Sequence, residues 1–448
     1  MARRAFVVLG VAAGLGLVPA PAVAHGIGGR ADLPVPVEFF VVGAGMVLVV
    51  TFVALAALWP KPRWQEAPTG RVIRGGWVGP VRGLLAALGL VGLAVVVAGG
   101  LFGDDTRTNA VPVLVWVYFW LVIPFASAVV GDLWRDVNPW RTLAVLANAG
   151  NEQRRDVLVR WGVWPATAAF VAFTWLELVS VDSGEPRTLA VAAIVYSIYL
   201  FVAVGYAGRE VGIGSADAFS VYNSTMGRIA PLGRNEAGEP VWRGWLRGLP
   251  GIPVRPGMVV FVIALIGTVT YDGLSRTPWW RDLVGSVAGE QWFGTLALLG
   301  TVAGVGAGYW LASWAAVRLS GEDVPISDVA RSFVHTLVPI ALAYAVAHYF
   351  TLVIFEGQLL LTAISDPFGK GWDLFGTADH TVNFWLSTNA IWYIQVAAIV
   401  GGHVAAVVLA HDRALAVFPP SRAVKTQYAM LVLMAGLTML GLVLLASG

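Results

Sequence analysis

Apolar residues in this chain do not recur at the spacing of one helix face. They run almost unbroken for the length of a bilayer crossing and stop at short clusters of charge, Gly and Pro. Ten such runs fall at about 37 to 59, 80 to 101, 111 to 131, 161 to 180, 188 to 207, 257 to 275, 293 to 317, 333 to 355, 387 to 411 and 428 to 446. An unpaired peptide group in hydrocarbon costs several kcal/mol, so each run is expected as a helix. The predicted fold is all-α: a polytopic transmembrane bundle of about ten spans, in one domain over residues 25–448.

The polar residues between the runs give the orientation. Of the 29 Lys and Arg, removing Arg3 and Arg4 leaves 27, and 21 of these fall in alternate connections, among them Lys61, Arg63, Arg71 and Arg74. A miscounted span would invert every later connection and destroy this bias. The positive-inside rule therefore assigns those segments to the cytoplasm and both mature ends to the outer side of a bacterial plasma membrane.

Ahead of the first span, Arg3 and Arg4, the apolar stretch Ala5 to Val18, and Ala22-Val23-Ala24 have the layout of a cleavable signal peptide over residues 1–24. Cleavage would leave His25 as the first residue, with an amine and an imidazole able to chelate a metal; the plainer reading is a Gly-rich tail.

Composition agrees with the pattern. The chain is 57% hydrophobic and 12% charged, against roughly a quarter charged in soluble domains. A net charge of +2 without a basic patch gives nucleic acid no footprint, and the absence of cysteine removes disulfides and thiolate chemistry. The expected partners are the lipid bilayer and a small lipophilic substrate or solute.

Two cytoplasmic segments invite comment. Gly131 to Thr142 mixes Trp with Arg, as expected of a segment lying at the lipid headgroups. Gly208 to Pro256 has a turn-rich second half unable to form a long helix. Both open with Gly and an acidic residue, a weak sign of duplication. On the outer side, Glu356 to Leu386 suits a structured lid or a re-entrant loop, with a solvated connector as the equal alternative.

Ionisable residues inside spans are costly and usually face the bundle interior. At 1.5 Å per residue, Glu177, Asp272, His348 and Gln395 each lie roughly 22 to 24 Å above the cytoplasmic end of their helices. They are expected to share one layer, with Tyr271, Tyr344 and Asn389 nearby and Glu356 and His380 closing it from above. This layer is predicted to line a polar cavity open to the outer face. The competing reading has the carboxylates snorkelling and His348 as a hydrogen-bonded core residue. A divalent metal held by His348 and Asp272, with His25 as a further donor, is chemically reasonable, although no H-E-x-x-H spacing marks it. His403 is expected to pack through the Gly401-Gly402 notch, and His411 to lie at the interface.

Several stretches resemble bacterial membrane proteins named fenitrothion hydrolases. They are His25-Gly-Ile-Gly-Gly-Arg-Ala-Asp-Leu-Pro-Val-Pro36, Gly131 to Trp140, Ala218-Phe-Ser-Val-Tyr222, Arg228-Ile-Ala-Pro231, Ala347-His-Tyr-Phe350, and Gly402-His-Val-Ala through Ala410-His-Asp-Arg-Ala-Leu415. The resemblance implies hydrolysis of an organophosphorus triester at its P–O–aryl bond by an activated water. His348, Asp272 and Glu177 would then be the base or metal ligands. Gln395, Glu356, His380 and Tyr344 would contact the substrate in an apolar, Trp-lined outer cavity. A transporter for a small solute and a metal-handling accessory protein are the alternatives.

Overall fold

A computed structural model describes residues 36–65, 70–73, 78–235 and 237–447. The signal-peptide stretch and His25 lie outside these residues. Among the described residues, nine helices are long and apolar enough to cross a membrane: Val37–Leu58, Val78–Phe102, Ala110–Val130, Pro186–Ala207, Met258–Arg276, Gln291–Ser320, Ile326–Ser365, Thr388–Val417 and Ala423–Ser447. A bent pair, Arg155–Trp161 and Trp164–Leu178, supplies the tenth crossing in sequence order as the fourth span. The protein is an all-α polytopic bundle, as the apolar runs predict.

The fourth span departs from the expected continuous helix. Gly162, at φ 55°, turns the chain by way of a 57° bend, and the crossing helix keeps only 15 residues. That is roughly 22 Å, short of a hydrocarbon core of about 30 Å. Its last turn carries Glu177. The third span departs too: Val113–Val122 is a π-helix bracketed by Pro112 and Pro124. Pro124 has no N–H to return to a carbonyl four residues back, which removes one of the bonds an α-helix would make there. Within this wide helix the Trp116 indole donates to the Ser183 carbonyl, the Tyr118 hydroxyl to the Gly357 carbonyl and the Trp120 indole to Glu177.

The sixth span, Met258–Arg276, is the axis of the bundle. Its crossing window is 78% buried, against 17% for the first span and 22% for the second. It packs against the fourth, seventh, eighth and tenth spans. The first span instead leaves Val42, Val50, Val53 and Leu58 exposed, as a lipid-facing helix does. The eighth and ninth spans touch through Gly402, where an added Cβ would lie 2.3 Å from the Ala343 Cβ and 2.7 Å from the Pro339 carbonyl. The adjacent His403 is fully buried, and its Nδ1 pairs with the Ile399 carbonyl of its own helix.

The connections sort onto two faces. On the arginine-rich face a small antiparallel sheet of order β1-β3-β2 joins Arg71–Val72, Pro240–Trp242 and Leu232–Arg234. Arg234 pairs with Asp136, and the Arg413 guanidinium reaches the Pro250 carbonyl. On the opposite face Asp366 accepts from the Thr108 hydroxyl and the Lys370 and Gly371 amides, clamping residues 104–110 to the long loop. That loop starts with short helices at Glu356–Leu359 and Leu360–Ser365 and is a structured clamp.

One expectation for the arginine-rich face is corrected. Trp134 and Trp140 turn into the protein and do not form a surface anchor. They are 2% and 4% exposed, with their indoles donating to Asp217 and to Ser197. His411 is likewise shut off from its surroundings: it is 1% exposed, between the Trp59 carbonyl and Gln427, because residues 59–65 fold over it. Its neighbour Asp412 holds that cover in place, accepting from the Trp59 indole, the Arg63 and Trp64 amides and the Gln65 side chain.

Candidate functional site

Asp272 stands one turn from the end of the sixth span, so Arg276, four residues on, lies over it. The Arg276 Nε donates to Oδ1 at 2.8 Å. The other oxygen, Oδ2, meets His348 Nε2 at 2.7 Å. The Tyr349 hydroxyl bonds the same carboxylate, and its ring meets the imidazole edge-on at 4.8 Å. Burial of the pair is uneven: the Asp272 side chain is 2% exposed and that of His348 18%. A carboxylate held by several donors thus fixes an imidazole that keeps an accessible edge.

Glu177 approaches from the short fourth span. Its Oε1 accepts from the Trp120 indole at 3.0 Å, and among the described residues its buried Oε2 has no hydrogen-bond partner. The residue is partly accessible while its Oε2 is not. It lies within electrostatic range of Asp272 and Arg276. Two carboxylates facing one guanidinium leave the cluster one positive charge short of balance in a medium that screens poorly. The cluster is chemically suited to take up and release a proton.

Gln395 belongs to the same level, and its amide donates to the Ala347 carbonyl beside His348 at 2.7 Å. Tyr344 lines a cavity with His348, and its hydroxyl donates to the Leu437 carbonyl. Tyr271 lies near the Gly294 backbone, where an added Cβ would be 3.3 Å from its hydroxyl. Glu356 and His380 do not close over the dyad through any hydrogen bond or ion pair among the described residues; the His380 carbonyl accepts from Thr362 within the long loop. The cavity also departs from expectation. It measures about 30 Å³ and is lined mainly by apolar groups, among them Val269, Ile399 and Leu444, and Asp272 does not line it. It has room for a water, and is far smaller than an aryl ester.

The expected donor set is only partly within the described residues, since His25 lies outside them. Among the described residues no group of three or more His, Asp or Glu is arranged to hold an ion. His348 and Asp272 instead point their nearest donor and acceptor atoms at each other.

Arg276, Tyr349 and Trp120 join the site without having been expected there. The four-residue spacing from Asp272 to Arg276 is a signal, since i and i+4 share a helix face. Tyr349 adjoins His348 in sequence. Trp120 carries no signal, because a π-helix sets its direction.

Comparison with protein-family models, with curated proteins and with solved structures finds no match to this chain.

Proposed function

We propose that this membrane protein is a hydrolase that activates water at His348, with a neutral, lipophilic ester of the aryl phosphotriester class as substrate. The observation that carries the reading is the 2.7 Å contact between a buried Asp272 and a partly accessible His348. An Nε2–H donated to the carboxylate makes Nδ1 the basic nitrogen of the neutral ring. In the reaction Nδ1 takes a proton from water, the water oxygen bonds to phosphorus, and the P–O–aryl bond breaks with its electron pair leaving on the aryl oxide. The water-sized cavity beside His348 fits the nucleophile. The ester would approach the accessible ring edge from the hydrocarbon side, where its low polarity concentrates it. On this reading the arginine-rich face is cytoplasmic and the dyad belongs to the outer half of a bacterial plasma membrane.

A proton-coupled transporter is the second reading, favoured by the buried Glu177 oxygen that has no hydrogen-bond partner among the described residues and lies near Asp272 and Arg276. Carboxylates at membrane depth are common parts of proton relays. One pair of assays separates the two. Detergent-purified protein is tested for nitrophenol release from an aryl phosphotriester, and sealed vesicles for proton-dependent solute flux. The hydrolase reading expects release that falls about 10²- to 10⁴-fold in His348→Gln, with a smaller fall in Asp272→Asn. Release independent of both residues, or flux lost in Glu177→Gln without any release, overturns it.

A further inference from the structure

A second polar site lies on the arginine-rich face, beside the start of the sixth span, whose other end carries Asp272 of the dyad. The segments after the third and fifth spans leave their helices through matching glycines, Gly131 at φ 91° and ψ −178° and Gly208 at φ 88° and ψ 158°. This backbone region is essentially reserved for glycine. Each glycine is followed by a short helix, and the two segments pack together: Trp134 and Asn138 of the first both donate to Asp217 of the second. Between them is a polar cavity of about 170 Å³, bordered by Arg135, Arg141, Arg255, Asp132, Glu210 and Ser220.

The charges around it are unequally engaged. Glu210 is already taken by Arg141, at 2.5 and 2.9 Å to its two oxygens, and lies 3.7 Å from Arg135. Among the described residues Arg255 has no carboxylate partner. Its Nη1 donates to the Gly214 carbonyl at 2.8 Å, and among the described residues its buried Nε has no hydrogen-bond partner. A guanidinium partly withdrawn from water without a counter-ion is costly unless something else supplies the charge. Its planar fork, beside two further arginines, matches a tetrahedral oxyanion better than any neutral group.

We propose that this cavity binds a phosphate-class oxyanion, with Arg255 as its principal contact and Arg135 and Arg141 at its rim. The group comes from one of two sources: a free phosphate or phosphate ester, or the headgroup of an anionic lipid at the membrane surface. The proposal stands independently of the hydrolase reading.

The test uses the full chain. Melting temperature in zwitterionic detergent is followed against inorganic phosphate, with sodium chloride at matched ionic strength as control. In a parallel arm the protein is melted in phosphatidylcholine vesicles with and without phosphatidylglycerol. A ligand that binds only the folded state raises the melting temperature in a concentration-dependent way. The expected result is a rise with phosphate, or with phosphatidylglycerol, that Arg255→Gln loses and Arg422→Gln, elsewhere on the same face, keeps. A rise in the phosphate arm identifies a free ligand, and one confined to the vesicle arm identifies a lipid headgroup. Arg135 is 44% exposed, so Arg135→Gln serves as a second variant if Arg255→Gln does not fold, and it is expected to weaken the response. The proposal is overturned if neither arm gives a rise, or if the rise survives both substitutions.

Discussion

Replacing Asp217 by asparagine is expected to be among the most damaging isosteric changes in this protein. Asp217 is fully buried and accepts from the Trp134 indole at 3.0 Å, the Asn138 amide at 2.7 Å, the Ser220 hydroxyl at 2.7 Å, the Tyr196 hydroxyl at 2.8 Å and the Phe219 amide at 3.0 Å. The directions are fixed by the rest of the network. The Tyr196 hydroxyl already accepts from the Ala218 amide and that of Ser220 from Asn138, so each uses its hydrogen on Asp217. A carboxamide has one acceptor oxygen in place of two and turns its NH₂ toward donors whichever way it is rotated. At least two donors then lose their partner in a dry site. Each orphaned donor costs about 1–3 kcal/mol, and the remaining bonds lose their charge assistance, for a total of roughly 3–6 kcal/mol. This is a large share of a typical stability of about 5–15 kcal/mol. Thermal unfolding in detergent, followed by tryptophan fluorescence, should show a fall of many degrees. The double variant Asp217→Asn with Tyr196→Phe should lose less than the sum of the two single changes, because it removes a donor that the carboxamide cannot satisfy. An Asp217→Asn melting temperature within a degree or two of the parent would refute the reasoning.

Three further outcomes are expected. Burial raises the Asp132 carboxyl from 3.8 to about 6, against the lowering influence of the Arg135 amide and of Arg135 and Arg234, with Asp136 adding to the rise. The folded state therefore binds the extra proton, and the associated stability is complete below about pH 4 and lost as pH rises through 6. Asp132→Asn should accordingly gain stability relative to the parent between pH 5 and 8, by about 1–2 kcal/mol after allowing for partial exposure, and a difference in melting temperature that does not change with pH would contradict this. Asp412→Ala should expose residues 59–65 to protease and cost about 3–5 kcal/mol, seen as faster cleavage after Arg63 by trypsin; an unchanged cleavage rate would argue against the clasp. Gly402→Val should separate the eighth and ninth spans, at about 1–3 kcal/mol or more, and Gly401→Val, which meets nothing within 4 Å, is the control that should melt like the parent.

The sequence is most informative along the membrane normal. Helical rise is nearly constant, so counting residues brings Asp272 and His348 to one depth, and in the folded protein they touch. Rotation about each helix leaves no such record. Nothing in the chain shows that Gln395 turns to the Ala347 carbonyl, or that the cavity beside His348 is small and apolar. The Trp-Arg mixture of 131–142 reads as a surface anchor because the same composition serves both settings. The deciding partner, Asp217, lies 83 positions beyond Trp134. The burial of His411 leaves no trace in the sequence for the same reason, its cover coming from residues 59–65. The arginine cavity is invisible in the sequence because it lies between two segments that composition treats separately.

The Asp412 clasp also bears on how the chain is assembled. The donors at Arg63 and Trp64 and the carboxylate that holds them are 349 and 348 residues apart, and on the other face Asp104 waits for Phe368 in the same way. A chain entering the bilayer from its amino end would have its first connections in place long before either fastening exists. Insertion and sealing are therefore separate events, and the late helices act as the closure of a structure whose early part stands open until they arrive.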